Sequence, residues 1–244
     1  MAYAHGVERK NIPNPGFAED DGTADPRLAA ALAAWAADPA TEPDVLAALR
    51  PSRLMVPIVA LLGEVEIDDH GHKHEKTSDM AVPVVQAADG RRALPAFTSL
   101  DAMARWRADA RPAPVAAPQA AMVAYSEQAD TLLVDPAGPV AYRLSGARLR
   151  ALAENRPYLP PLEDPDVRDA VRALLAAQPA VVAAHLVPAT DADGTLAVLL
   201  DADADPRELV TALTGDPTLR VRLDRGLQLA VLREPLPGEP FYSR

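Results

Sequence analysis

His70, His72 and His74 stand at every second position in D-D-H-G-H-K-H, Asp68 to His74. Alternate residues of a strand share one face. A His-x-His pair on a strand can therefore hold zinc, given a third ligand and groups that orient the imidazoles. A metal-dependent hydrolase could be built on such a cluster. Two features oppose that reading. Gly71 lies inside the motif and weakens a rigid strand. The stretch also separates two β-rich runs, Leu54–Ile67 and Met80–Gln86, and carries acids, a glycine, Lys73 and Lys76. That is the composition of an exposed hairpin loop. A hairpin is expected, with no metal site and no cofactor.

The run P-A-F-T-S, Pro95 to Ser99, offers a hydroxyl nucleophile, but no G-x-S-x-G elbow surrounds Ser99. Thr98-Ser99-Leu100-Asp101 reads as a capping box opening a helix, and Phe97 as a core anchor. Because helix N-termini favour anions, Phe97, Thr98 and Ser99 are the candidate ligand-binding residues for a small anionic metabolite. His185 lies in the apolar strand A-V-V-A-A-H-L-V, where no serine or acid partner can be named, and is read as structural. Asp191, Asp193, Asp201, Asp203 and Asp205 resemble calcium ligands only superficially. D-A-D-G-T lacks the twelve-residue loop and its closing Glu, so turn and cap roles are expected. With no P-loop, no G-x-G-x-x-G and no H-E-x-x-H, no catalytic residue is assigned.

Composition narrows the classes further. The chain of 244 residues suits one large or two small domains. It has no cysteine, which excludes disulfides, thiolate catalysis and Cys-based zinc sites. Its net charge of −11 repels phosphate backbones, so no nucleic-acid partner is expected. The balance of 21 Arg to 3 Lys, with abundant Ala and Pro, is a codon-bias signature and carries no mechanism. The longest apolar stretch, Met55 to Leu62, has strand length and is too short to cross a membrane. The N-terminus lacks an apolar signal core, so a soluble cytoplasmic protein is expected.

The elements that must position these residues follow from caps and periodicity. Residues 1–25 are read as a mobile arm. Asp25-Pro26 opens one helix, and Thr41 caps a second with Asp44 three residues on. Strands follow at Leu54–Ile67, Met80–Gln86 and Ala93–Phe97, with Asp89-Gly90 turning between the last two. Arg111 to Pro118 is expected to be a Pro-rich linker, Gln119–Glu127 a helix and Thr131–Val134 a strand stopped by Asp135-Pro136. Pro139–Asn155 supplies a short strand and a helix. Arg156 to Pro165, with four prolines, is the expected domain boundary. Beyond it come a helix from Asp164-Pro165, strands Ala180–Val187 and Thr195–Leu200, a helix capped at Asp205-to-Glu208, a continuing helix Asp216–Asp224, and a last strand Leu227–Leu232. Both halves run helix, antiparallel strands, capped helix, second helix, strand. The expected fold is α+β: two α/β domains of related plan, each with an antiparallel sheet packed against helices, spanning 26–155 and 166–244 around a 156–165 linker.

The segments L-M-V-P-I-V-A-L-L-G-E-V-E, E-K-T-S-D-M-A-V-P, D-G-R-R-A-L-P-A-F-T-S, A-R-W and T-L-L-V-D-P-A-G-P, from Leu54 to Pro139, resemble the SseB family, named for enhanced serine sensitivity. The tail resembles the smaller C-terminal domain that some members carry. The resemblance implies no known activity and no catalytic residues, only a link to amino-acid metabolism. It makes Gly90, Phe97, Thr98, Ser99 and Asp135-Pro136 structural, and it does not call for histidine at positions 70, 72 and 74. The expected function is thus a non-enzymatic protein that binds an unidentified protein partner. A small-anion-binding domain and a metal-dependent hydrolase are the alternatives, and self-association is compatible with the sequence.

Overall fold

In the computed structural model, which describes residues 17, 20–61, 66–67, 73–74, 79–87, 90–202 and 204–244, three helices open on an Asp-Pro pair. Proline presets the first helical φ and has no N–H to leave unpaired, while the aspartate accepts from the next free amides. Asp25 accepts the Arg27 N–H at 2.7 Å and starts α1, Pro26–Ala37. Asp164 accepts the Asp166 N–H at 3.0 Å and starts α6, Pro165–Ala176; Asp216 accepts the Leu219 N–H at 2.9 Å and starts α8, Pro217–Arg222. The cap expected of Thr41 is corrected. Asp38 takes the Ala40 N–H and opens a 3-10 turn, Pro39–Thr41, and the Thr41 hydroxyl donates to the Asp38 carbonyl. Helix α2, Glu42–Leu49, follows without a side-chain cap.

The chain divides into two compact units, residues 1–145 with 152–156, and residues 146–151 with 157–244. The division runs through α5, Gly146–Ala153. In the first unit, β1 (Arg53–Leu61) is followed by β2 (Glu66–Ile67), β3 (Lys73–His74), β4 (Asp79–Ala81), β5 (Val85–Gln86) and β6 (Arg92–Ala96). Then come α3 (Leu100–Trp106), β7 (Arg111–Ala116), α4 (Ala117–Ser126), β8 (Thr131–Val134) and β9 (Tyr142–Ser145). Sheet orders are β4-β1-β7 and β5-β6-β8-β9, joined by a bridge between Met55 and Phe97. The return strand expected over Met80–Gln86 is split. Its first part pairs with β1 and its second with β6.

The expected linker Arg111–Pro118 is instead a strand, β7, antiparallel to β1. Its prolines fall where no N–H is needed. Met55 exchanges both backbone hydrogen bonds with Phe97, at 2.8 and 2.9 Å, so its polar groups face away from β7. Its partner Pro114 is therefore a non-hydrogen-bonded position, and the pair Pro57–Pro112, two residues along, has the same phase. This is how an edge strand accommodates proline. Helix α4 packs on β1, β6, β7 and β8 through the buried alanines 117, 120, 121 and 124.

Residues 20–25 do not belong to a free arm. Arg53 holds Asp20 by an ion pair and the Thr23 carbonyl at 2.6 Å, and Leu100 donates its N–H to the Gly22 carbonyl at 2.9 Å.

The second unit holds β10 (Val181–Val187), β11 (Gly194–Leu200), α7 (Arg207–Gly215), β12 (Leu227–Leu232) and β13 (Tyr242–Ser243), with sheet order β12-β11-β10-β13. Val167, Val171 and Leu175 form one stripe of α6 at helical spacing and pack with Val181, Leu196 and Val198. Each such side chain contributes about 1.5–3 kcal/mol by leaving water. The fold is α+β. Each unit places an antiparallel hairpin beside a strand reached by a helical crossover: β5-β6 then β8, and β10-β11 then β12. The last pair is parallel in both, a mixed feature that the expected antiparallel sheets did not include. Among the described residues no helix is long and apolar enough to cross a membrane.

Candidate functional site

The end of β6 delivers Phe97, Thr98 and Ser99 to the start of α3, and each has a structural occupation. Phe97 is 0% exposed and packs with Met55, Ala102 and Met103. Its ring lies 5.4 Å from that of Trp106. Ser99, rather than Thr98, is the cap, accepting the Ala102 N–H at 3.1 Å. Thr98 donates its N–H to Asp135 Oδ1 at 2.9 Å and its hydroxyl to Asp135 Oδ2 at 2.6 Å. Thr98 is 5% and Asp135 8% exposed. The expected capping box is thereby corrected: Thr98 faces a buried carboxylate 37 positions along the chain.

Asp135 sits at the end of β8 with φ +49°, a left-handed conformation that Asp tolerates. It turns the chain through D-P-A-G, closed by the Gly138 N–H to the Asp135 carbonyl at 2.8 Å. A Cβ at position 138 would stand 3.1 Å from Asp135 Cβ, which accounts for glycine there. Burial pushes the Asp135 carboxyl above its ordinary value, against the lowering effect of the two Thr98 hydrogen bonds and the Arg105 charge. On the other side of Thr98, its carbonyl accepts from the Arg53 guanidinium. The hydrogen bond from Arg53 holds the Asp20 carboxyl below its ordinary range. A cavity of about 480 Å³ opens beside Arg53, lined by Ser52, Asp20, Asp21 and Asp25 but not by Phe97, Thr98 or Ser99. Its carboxylates disfavour an anion. Thr98 thus has both its N–H and its hydroxyl engaged with a structural acid.

The remaining candidates are dispersed. β2 and β3 pair antiparallel, Glu66 with His74 and Ile67 with Lys73. His70 and His72 lie outside the described residues. Asp193 accepts backbone N–H bonds from Asp224, Arg225 and Gly226 at 2.8, 2.6 and 3.0 Å, tying the turn before β11 to the turn before β12. Asp201 pairs with Arg244, and Asp205 accepts the Arg207 N–H at the start of α7. Asp203 lies outside the described residues. Among the described residues no group of three His, Asp or Glu side chains could hold a metal ion. His185 is half-buried on β10.

A different feature of the first unit was not foreseen. Val85, Ala93, Thr131 and Leu133, with Arg143, share one face of the β5-β6-β8-β9 sheet by register. A groove of about 240 Å³ runs along it, with an apolar floor at Val85, Ala93 and Leu133 and with Arg91 and Arg143 beside it, while the Arg92 side chain lies on the opposite face and donates to Gln128 at 3.1 Å. Val85 is 39% exposed. Period-2 patterning hid this face, because β8 reads as continuous T-L-L-V and Leu133 passes for core.

The SseB protein N-terminal domain model matches residues 28–151, just over half of the chain. No curated protein and no solved structure matches. The matched span contains both ends of the Thr98–Asp135 lock, and the chain belongs to the SseB family, through its N-terminal domain.

Proposed function

We propose that this SseB-family protein acts by binding another protein, as a regulatory component linked to amino-acid metabolism, rather than by catalysis. The observation that carries the reading is the groove of Val85, Ala93 and Leu133 with Arg91 and Arg143 beside it. An apolar floor with an arginine rim is the make-up of a protein-recognition surface. On a chain of net charge −11 the rim is a local reversal of sign, and it suits a partner segment with an apolar anchor flanked by carboxylates. Two acids of the same unit support the reading from the other side, since Asp135 and Asp20 are held by Thr98 and Arg53.

The test is affinity capture from the source cytosol with the wild-type chain and with Val85→Asp/Arg143→Glu. Both positions are exposed, so the variant is expected to keep its unfolding midpoint. A protein retained by the wild type and lost with the variant supports the proposal. An identical capture profile, with the variant folded, defeats it.

A further inference from the structure

A second groove, in the C-terminal unit, has the chemistry of a small-anion site. It forms where the β10–β13 ladder stops. Ser243 and Tyr242 pair with Ala183 and Ala184, and the chain before them, Glu239 to Phe241, leaves the ladder. The edge of β10 from His185 to Val187 is therefore not covered by β13. The space is about 520 Å³ and is lined by Arg168, Arg172, His185, Glu239 and Phe241. The alternation that sets Val182 against Arg244 and Ala184 against Tyr242 also turns the backbone of Leu186 to this side.

Arg168 and Arg172 are one turn apart on α6, beside its buried Val167–Val171–Leu175 stripe. Their guanidinium carbons lie 5.0 and 4.6 Å from the centroid of the Phe241 ring, which holds both charges at the groove. Arg168 donates to the Leu162 carbonyl at 3.0 Å and Arg172 to Asp169 at 3.2 Å. A guanidinium has five N–H donors in a planar fork, so each retains donors suited to carboxylate or phosphoryl oxygens. The lining carries two arginines against one carboxylate, Glu239, in a chain of net charge −11. We propose that this groove binds a small oxyanion-bearing metabolite, its negative group held by Arg168 and Arg172 with His185 facing it from β10. This site is independent of the partner groove and lies outside the residues matched by the family model.

The test is titration of the full chain with inorganic phosphate and, separately, with citrate, each at ionic strength held constant with sodium chloride. Thermal unfolding and the His185 ring proton resonances are the readouts. Expected is a saturable shift of the His185 signals and a rise in unfolding temperature of about 3 °C or more at tenfold excess over Kd. Arg172→Gln is expected to weaken binding at least about tenfold, as loss of a charge-assisted hydrogen bond does. Glu239→Gln is expected to tighten it, which a purely structural role for the groove does not produce. A response to phosphate alone assigns a phosphoryl ligand, and a response to citrate alone assigns a carboxylate. No saturable response to either anion, or equal affinity in Arg172→Gln, overturns the proposal.

Discussion

Thr98 and Asp135 place a carboxylate where it is largely shielded from water, and two hydrogen bonds from one threonine and the charge of Arg105 answer it. Removing the acid leaves a buried N–H and a buried hydroxyl without their acceptor. Asp135→Ala should cost about 2–4 kcal/mol in urea unfolding, more than a surface change. The pH dependence has a definite sign. The folded-state pKa of Asp135 is raised above its ordinary 3.8, so the native state holds its proton more tightly than the unfolded chain. That contribution favours folding at low pH and is lost as pH rises from 3.8 through the raised value. Asp20 acts in the opposite sense. Its pKa is lowered, first by the Arg53 hydrogen bond, so its contribution is present above the ordinary carboxylate range and lost as pH falls through the lowered value. Asp135→Asn should therefore flatten the decline in stability above 3.8 while leaving the acid-side loss in place. Urea midpoints across that range decide it, and an unchanged slope in the variant would falsify the burial of a titrating Asp135.

At the scale of elements, β7 is held in a proline-rich segment by phase alone. Pro112 and Pro114 stand opposite Pro57 and Met55, and Ala113 stands opposite Val56 in the alternate phase, where the ladder bonds form. The two phases make contrasting predictions. Ala113→Pro removes a ladder N–H and should destabilise by about 3 kcal/mol. Pro114→Ala removes none and should change stability by less than about 1 kcal/mol, because an N–H gained at that phase faces away from β1. Equal effects of the two substitutions in chemical denaturation would show that the register is shifted.

At the scale of the whole molecule, the second unit owns its core: α6, β10, β11, α7 and α8 bury one apolar cluster among themselves. The division nevertheless assigns residues 146–151 to that unit. Ala147 donates its N–H to Asp224, Arg148 pairs with Asp224 at 3.4 Å, and the Arg148 guanidinium stacks on Tyr158. Gly146, at φ +59°, has Asp224 where a Cβ would stand. A fragment 146–244 should accordingly unfold cooperatively and be more stable than a fragment 157–244 by about 1–3 kcal/mol. Equal stability of the two in urea would remove 146–151 from the unit.

Taken alone, the sequence determined what is local. Asp-Pro pairs start helices because capping and a preset φ act within a few residues. Helical stripes and strand runs were legible for the same reason, and so was family membership through the motifs between Leu54 and Pro139. What joins distant positions was decided only by tertiary structure. Thr98 looked like a cap because a box at 98–101 satisfies every local rule, while its actual partner lies 37 residues away. Arg111–Pro118 looked like a linker because proline opposes a strand unless the neighbour's polar groups point elsewhere, and β1 arranges that through Phe97. Arg168, Arg172, His185 and Phe241 carry no common motif. They meet because β13 begins only at Tyr242, opposite Ala184, and only the folded sheet puts that start beside α6.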